Sequence, residues 1–253
     1  MNTWELTMLV KEEILSINNE VEFEEIHLKD LNLPFCIGCS LCFRKGHNYC
    51  PHNSIVQKVM DKIEESDGII FSAPNNNFQM PALTKNFVDH LCFALHRPRY
   101  YEKKALIVST TGGVGAKNAT KSMAATMSGW GFNKCYQLPV AAISWDAYKP
   151  TEKQKIKARS LASKFYSDLA SKKLHSPSYP VLIPYNLFRG MSFNYRKGKD
   201  FETRDGSFYE ENERMNTVYS PKVPLTIPQK LFGNMFYLIG KKASKHMIVT
   251  YRK

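Results

Sequence analysis

Four of the six cysteines fall within fifteen residues, at Cys36, Cys39, Cys42 and Cys50, in the spacing C-x2-C-x2-C-x7-C. Cysteines at intervals of three cannot all point one way on a regular helix or strand, whereas a loop can fold them around a small centre. Gly38 and Gly46 supply the backbone freedom such a loop needs. Arg44, Lys45 and His47 add positive charge that favours thiolates. Converging thiolates suit a [4Fe–4S] cluster or zinc, and unligated redox-active thiols are the third reading. Zinc ligands more often come as two separated pairs with a longer spacer. Cys92 and Cys135 stand alone in apolar surroundings and read as packing residues.

Two further stretches have the chemistry of a binding loop. In SAPNNNFQMP (72–81), Pro74 fixes a turn, Asn75, Asn76 and Asn77 offer amide donors and acceptors, and Phe78 offers an aromatic face. In STTGGVGAKN (109–118), Thr110, Thr111, Gly112 and Gly113 let backbone N–H groups approach a ligand closely. Together they suit a flat ring with polar edges. The seven histidines show no metal-ligand spacing, so His90 and His96 read as helix-surface or pocket-lining residues. No Ser-His-Asp arrangement, Walker loop or paired-carboxylate signature stands out.

The elements that must carry these loops alternate as strand and helix through residue 174. Leu6, Leu9, Val10 and Ile14 give a helix over 3–16. VEFEEIHL (21–28) alternates like a strand with one wet face. A helix over 53–66 follows the cysteines, then GIIFSAP (68–74) reads as a strand buried on both faces. Pro81 opens a helix that runs to about Leu95. A second buried strand over 103–113, a helix through Ser128, a strand over 132–143 bent or interrupted at Pro139, and a basic helix over 151–173 complete the series. Strands separated by helices of this length give a doubly wound α/β fold with a parallel sheet. Residues 1–174 form this domain, and residues 175–253 form a basic, aromatic-rich appendage, helical or irregular, with one or two helices.

The formal net charge is +12. It is uneven: residues 1–174 hold 22 basic and 17 acidic groups, residues 175–253 hold 13 and 6, and no acid follows Glu213. No nucleic-acid motif accompanies this charge, and no nucleic-acid partner is expected. No stretch is apolar for long enough to span a bilayer. The N-terminus carries acids early and has no small-residue cleavage site, so a cytoplasmic location is expected. IPQKLFGNMFYLIGKKASK could form an amphipathic basic helix lying on a membrane, or pack on its own protein or a second copy.

CIGCSLC…YC, then SDGIIFSAPNNNFQMPALTKNFVDH, then HRPRYYEKKALIVSTTGGVGAKNA resembles the iron–sulfur flavoprotein and NADPH-dependent FMN reductase family over residues 2–174. The resemblance implies a flavodoxin-like fold, bound FMN, NAD(P)H as co-substrate and a homo-oligomer. It implies that residues 74–78 lie along the flavin ring, residues 110–113 at its other edge, and the four cysteines in a cluster loop. Lys85 and Asp89 match a structural lysine and aspartate of the family. Of the family's first strand and phosphate loop only Asn2 and Thr3 remain, so a missing N-terminal segment is expected. The implied activity is electron transfer from NAD(P)H, or from a ferredoxin-like donor, to a small acceptor such as a quinone, free flavin or nitro compound. An electron carrier without its own substrate, or a truncated inactive relative, are the alternatives.

Overall fold

The computed structural model describes residues 2–144, 147–199 and 201–246. Its centre is β2 (Lys104–Thr111), whose residues are buried from Lys104 to Thr110. β1 (Gly68–Ser72) pairs parallel on one side, Gly68 opposite Lys104, and β3 (Lys134–Ala141) pairs parallel on the other, Lys134 also opposite Lys104. The alternation of β2 sorts the two cores. Ala105 and Ile107 face the side covered by α3 (Asn53–Glu65), α4 (Ala82–His90), α5 (Phe93–His96) and α6 (Ala116–Gly129). Leu106 and Val108 face α1 (Asn2–Ile17) and α7 (Glu152–Ala170). Each fully buried leucine or isoleucine here stabilises the fold by about 1.5–3 kcal/mol of transfer free energy.

Helix boundaries follow local chemistry. α1 buries Leu6, Val10 and Ile14, one side of the helix. α7 starts at a capping box in which Thr151 and Gln154 exchange side-chain and backbone hydrogen bonds. The single turn α2 (Leu41–Arg44) lies within the cysteine loop.

Two expectations about strands are corrected. Residues 21–27 form no strand and join no ladder. Among the described residues, β1 pairs only with β2, so this segment has no strand beside it to bond. It is held by side chains instead: Val21 and Phe23 pack with the α1 and α7 core, and Lys11 pairs with Glu25 at 2.6 Å. Pro139 does not interrupt β3, which pairs continuously from Lys134 to Ala141; among the described residues β3 is an edge strand, where a proline's missing N–H can face outward.

The C-terminal segment builds a third buried cluster around Tyr101, Tyr185, Tyr209 and Tyr219. Where one or two helices were expected, the described residues form three α-helices, α8 (Tyr179–Tyr195), the short α9 (Arg204–Glu210) and α10 (Ile227–Ala243); the segment's last seven residues lie outside the described residues. It is bonded to the rest of the chain. Asn133 donates to the His175 carbonyl at 2.9 Å and accepts from the His175 amide at 2.7 Å. The buried Arg97 pairs with Asp205, which also accepts from His96 Nδ1 at 2.6 Å.

Candidate functional site

The carboxyl end of the sheet carries three neighbouring structures. Beyond β1 the chain stays alongside β2, with the amides of Ala73 and Asn75 donating to Val108 and Thr110 at 3.1 and 2.8 Å. Asn76 and Gln79 then exchange two backbone bonds of 2.9 Å across a two-residue turn. Both turn residues have positive φ, Asn77 at 48° and Phe78 at 64°. Asparagine tolerates this region, but an aromatic residue there is strained, as backbone at binding sites often is. The strain displays the Phe78 ring, which is half exposed.

Beyond β2, Gly112 and Gly113 leave open space where a Cβ would sit. Gly115, at φ +94°, lies so close to Phe78 that a Cβ would come within 2.6 Å of its ring. Asn75 Nδ2 donates to Thr111 Oγ1 and to the Val114 carbonyl, both at 3.2 Å, and so joins the two loops. Its Oδ1 is buried without a hydrogen-bond partner among the described residues. A buried acceptor of this kind is normally satisfied, and a donor on a bound ring would do so.

The third structure is the N-terminus of α1. Thr3 Oγ1 and Thr110 Oγ1 lie 2.6 Å apart, Asn2 Nδ2 donates to the Ser144 carbonyl at 2.9 Å, and Thr7 meets Ser72 at 2.7 Å. The first-turn amides of a helix form a site of positive potential suited to an anion. An aromatic face, an open glycine turn, an orphaned amide oxygen and a helix N-terminus together fit a phosphorylated flavin.

The structure thus brings together Asn2, Thr3, Asn75, Phe78, Thr110 and Thr111 of the residues read from sequence. Pro74, Asn76, Asn77, Gly112 and Gly113 sit exposed around them. Sequence reading missed Gly115 and Ser144. It also missed Ile143, 85% exposed at φ 49° just beyond β3.

The cysteines occupy a loop anchored to α4 and α5. Asn86 accepts from the Cys36 amide at 3.0 Å and donates to the Leu33 and Pro34 carbonyls, both at 3.1 Å. Arg97 donates to the Cys42 carbonyl at 2.7 Å. Ser40 adopts positive φ as do Gly38 and Gly46, so the chain reverses between cysteines. Cys36 is exposed and the other three are half-buried. Burial pushes the Cys50 thiol up, and the neighbouring Cys42, Cys39 and Cys36 add to that, so Cys50 lies within electrostatic reach of each of them.

Cys92 is more than a packing residue: its Sγ lies 3.9 Å from Cys42 Sγ. The Cys92 S–H, aided by the Arg97 charge, holds the Cys42 thiol down at about 7. His90 is buried rather than on the helix surface, and its Nδ1–H donates to the Asn86 carbonyl at 2.8 Å. Its Nε2 therefore accepts from His52 Nδ1 at 2.9 Å. Cys50, His52 and His90 bring ligand atoms within 4.8 Å of one another, a donor set suited to a single zinc-like ion. The C-P-H sequence at 50–52 was the local signal; His90 reaches it only through the fold. Lys85 and Asp89 pair one helical turn apart on an exposed side of α4.

The family model described as NADPH-dependent FMN reductase matches residues 2–146. An iron–sulfur flavoprotein of Clostridioides difficile is 28% identical over 207 residues, covering 79% of this chain and 87% of that protein. One of Archaeoglobus fulgidus is 33% identical over 88 residues, covering 35% of this chain and 41% of the relative. Among solved structures, the FerB flavoenzyme NAD(P)H:(acceptor) oxidoreductase of Paracoccus denitrificans aligns over 67% of this chain and 91% of its own, with 23% identity and a TM-score of 0.47. With its parallel sheet covered on both faces, this is a flavodoxin-like α/β chain. It belongs to the NADPH-dependent FMN reductase family.

Proposed function

We propose that this chain binds FMN at the carboxyl end of its sheet and passes electrons from NAD(P)H to a small acceptor such as a quinone, free flavin or nitro compound. The observation that carries this reading is the meeting of the α1 N-terminus with the two strand-end loops, through the Thr3–Thr110 and Asn75–Thr111 hydrogen bonds. FMN, when bound, supplies the hydride chemistry, and the protein supplies position and electrostatics. The α1 amides, Asn2 and Thr3 would face the phosphate. Asn75 Oδ1 would accept from the edge of the ring, and Phe78 would cover a face. The open turn at Gly112 and Gly113 would let backbone amides reach its other edge. No side chain is needed as acid or base, and none is assigned.

Cys36, Cys39, Cys42 and Cys50 are the residues that would hold a [4Fe–4S] cluster, which supplies one-electron chemistry when bound and would suit a ferredoxin-like donor. A second metal reading is favoured by the Cys50–His52–His90 convergence, which suits a single ion.

Purification of the chain, incubation with FMN and absorption spectroscopy test the flavin reading. The expected result is stoichiometric flavin bands that bleach with NAD(P)H and recover on adding a quinone. No flavin uptake overturns the reading. Bleaching without turnover identifies an electron carrier instead.

A further inference from the structure

α10 carries an apolar surface that the described residues leave exposed. Ile227, Leu231, Met235, Leu238 and Ile239 are 74, 68, 48, 63 and 47% exposed. They recur four, four, three and one residues apart, which places them on one stripe of the helix. From Ile227 to Ile239 that stripe is about 18 Å long at ~1.5 Å rise per residue. Five large aliphatic side chains in one exposed row are more than scattered surface hydrophobics.

The other side of α10 is fixed, so the helix cannot roll to bury the stripe. A Cβ on Gly190 would lie 2.1 Å from the Tyr237 carbonyl oxygen, and one on Gly240 would lie 2.2 Å from that of Leu187. The α8 and α10 backbones are therefore in direct contact at both points. Arg189 stacks over Tyr237 at 4.5 Å and donates to Asn234 at 2.7 Å. At the helix start, Thr226 and Gln229 form a capping box, and Gln229 also donates to the Pro177 carbonyl at 2.7 Å.

Charge decides what the stripe meets. From Arg214 to the C-terminus the sequence has eight lysines and arginines and no acid. Lys242 and Lys245 continue the stripe at its C-terminal end, and Lys230 flanks it. A second copy would bring the Lys230, Lys242 and Lys245 of two stripes together with no acid on α10 to offset them, which like-charge repulsion opposes. A bilayer with anionic headgroups attracts them, and its acyl region accepts a single convex row of aliphatic side chains. No helix among the described residues is long and apolar enough to cross a membrane, so the contact would be at the surface.

We propose that α10 is an interfacial helix that lays the Ile227–Ile239 stripe into the surface of an anionic bilayer and docks the protein there. The inference is independent of the flavin reading.

Cosedimentation of the full chain with phosphatidylcholine vesicles, with and without phosphatidylglycerol, tests it. Binding to the anionic vesicles is expected to be at least about tenfold tighter than to neutral ones and to weaken as salt rises. Leu231→Gln with Leu238→Gln changes only exposed positions, so the melting temperature should hold while vesicle affinity falls at least about tenfold. Lys242→Gln with Lys245→Gln should weaken binding to anionic vesicles and leave neutral ones unaffected. Absence of binding to anionic vesicles overturns the proposal, as does binding that the leucine pair does not alter. A dimer that the leucine pair dissociates, with no vesicle binding, assigns the stripe to a second copy and also overturns it.

Discussion

Thr3 and Thr110, 107 residues apart in the chain, share a buried hydrogen bond with their Oγ1 atoms 2.6 Å apart. The first turn of α1 is thereby fixed against the last residues of β2, where the flavin phosphate is proposed to lie. Each hydroxyl is the other's partner, so removing one leaves a buried polar group unsatisfied.

Thr3→Val should therefore destabilise the protein by about 1–3 kcal/mol in urea unfolding, with little change in packing volume. Thr3→Val combined with Thr110→Val should be less destabilising than the sum of the two, because no hydroxyl is left stranded. Both variants should take up FMN more weakly than the parent in a fluorescence titration.

The Cys42 thiol is poised by Cys92 and Arg97. In metal-free protein its alkylation rate should rise with pH through a midpoint near 7, since only the thiolate reacts. Below that pH the thiol is protonated and slow. Cys92→Ala should move the midpoint up, toward the ordinary thiol range. Cys135, pushed up to about 11 by burial, should stay unlabelled across the same series. Mass spectrometry of the alkylated peptides reads all three.

Asp205 accepts from both Arg97 and His96 in a largely buried setting. Asp205→Asn leaves the Arg97 guanidinium without its counter-charge and should destabilise the protein by about 3–5 kcal/mol. Because Arg97 also holds the Cys42 carbonyl, the cysteine loop should become more sensitive to limited proteolysis.

Cys50 belongs to both donor sets in the cysteine loop. Cys50→Ser should lower iron retained after reconstitution with ferrous iron and sulfide, and should lower zinc retained after dialysis. His52→Ala should leave the iron content unchanged and remove only the zinc. Elemental analysis of the two variants separates a four-thiolate centre from a Cys–His–His one.

The strands and helices of the first 174 residues were legible because short apolar runs, a glycine turn and cap residues bound them. Residues 21–27 were misread because alternation reports which side of a segment is apolar, while a strand also requires a neighbour to bond. Pro139 was misjudged for a related reason: its effect depends on whether the strand is interior or edge. The positions of Asn75, Thr110 and Thr111 could be read from loops that follow buried strands. The strain at Phe78 and the meeting of His52 with His90 could not, since both arise from contacts between distant segments.

The double hydrogen bond between Asn133 and His175 carries a practical warning. A gene fragment stopped at residue 174 looks like a minimal flavin module. It would instead lose the backbone that satisfies the Asn133 amide, bare the Tyr101 side chain that packs edge-on against Tyr219, and leave the Arg97 guanidinium without its Asp205 counter-charge. Poor yield or insolubility of such a fragment would report a torn seam, not an inability to bind the cofactor.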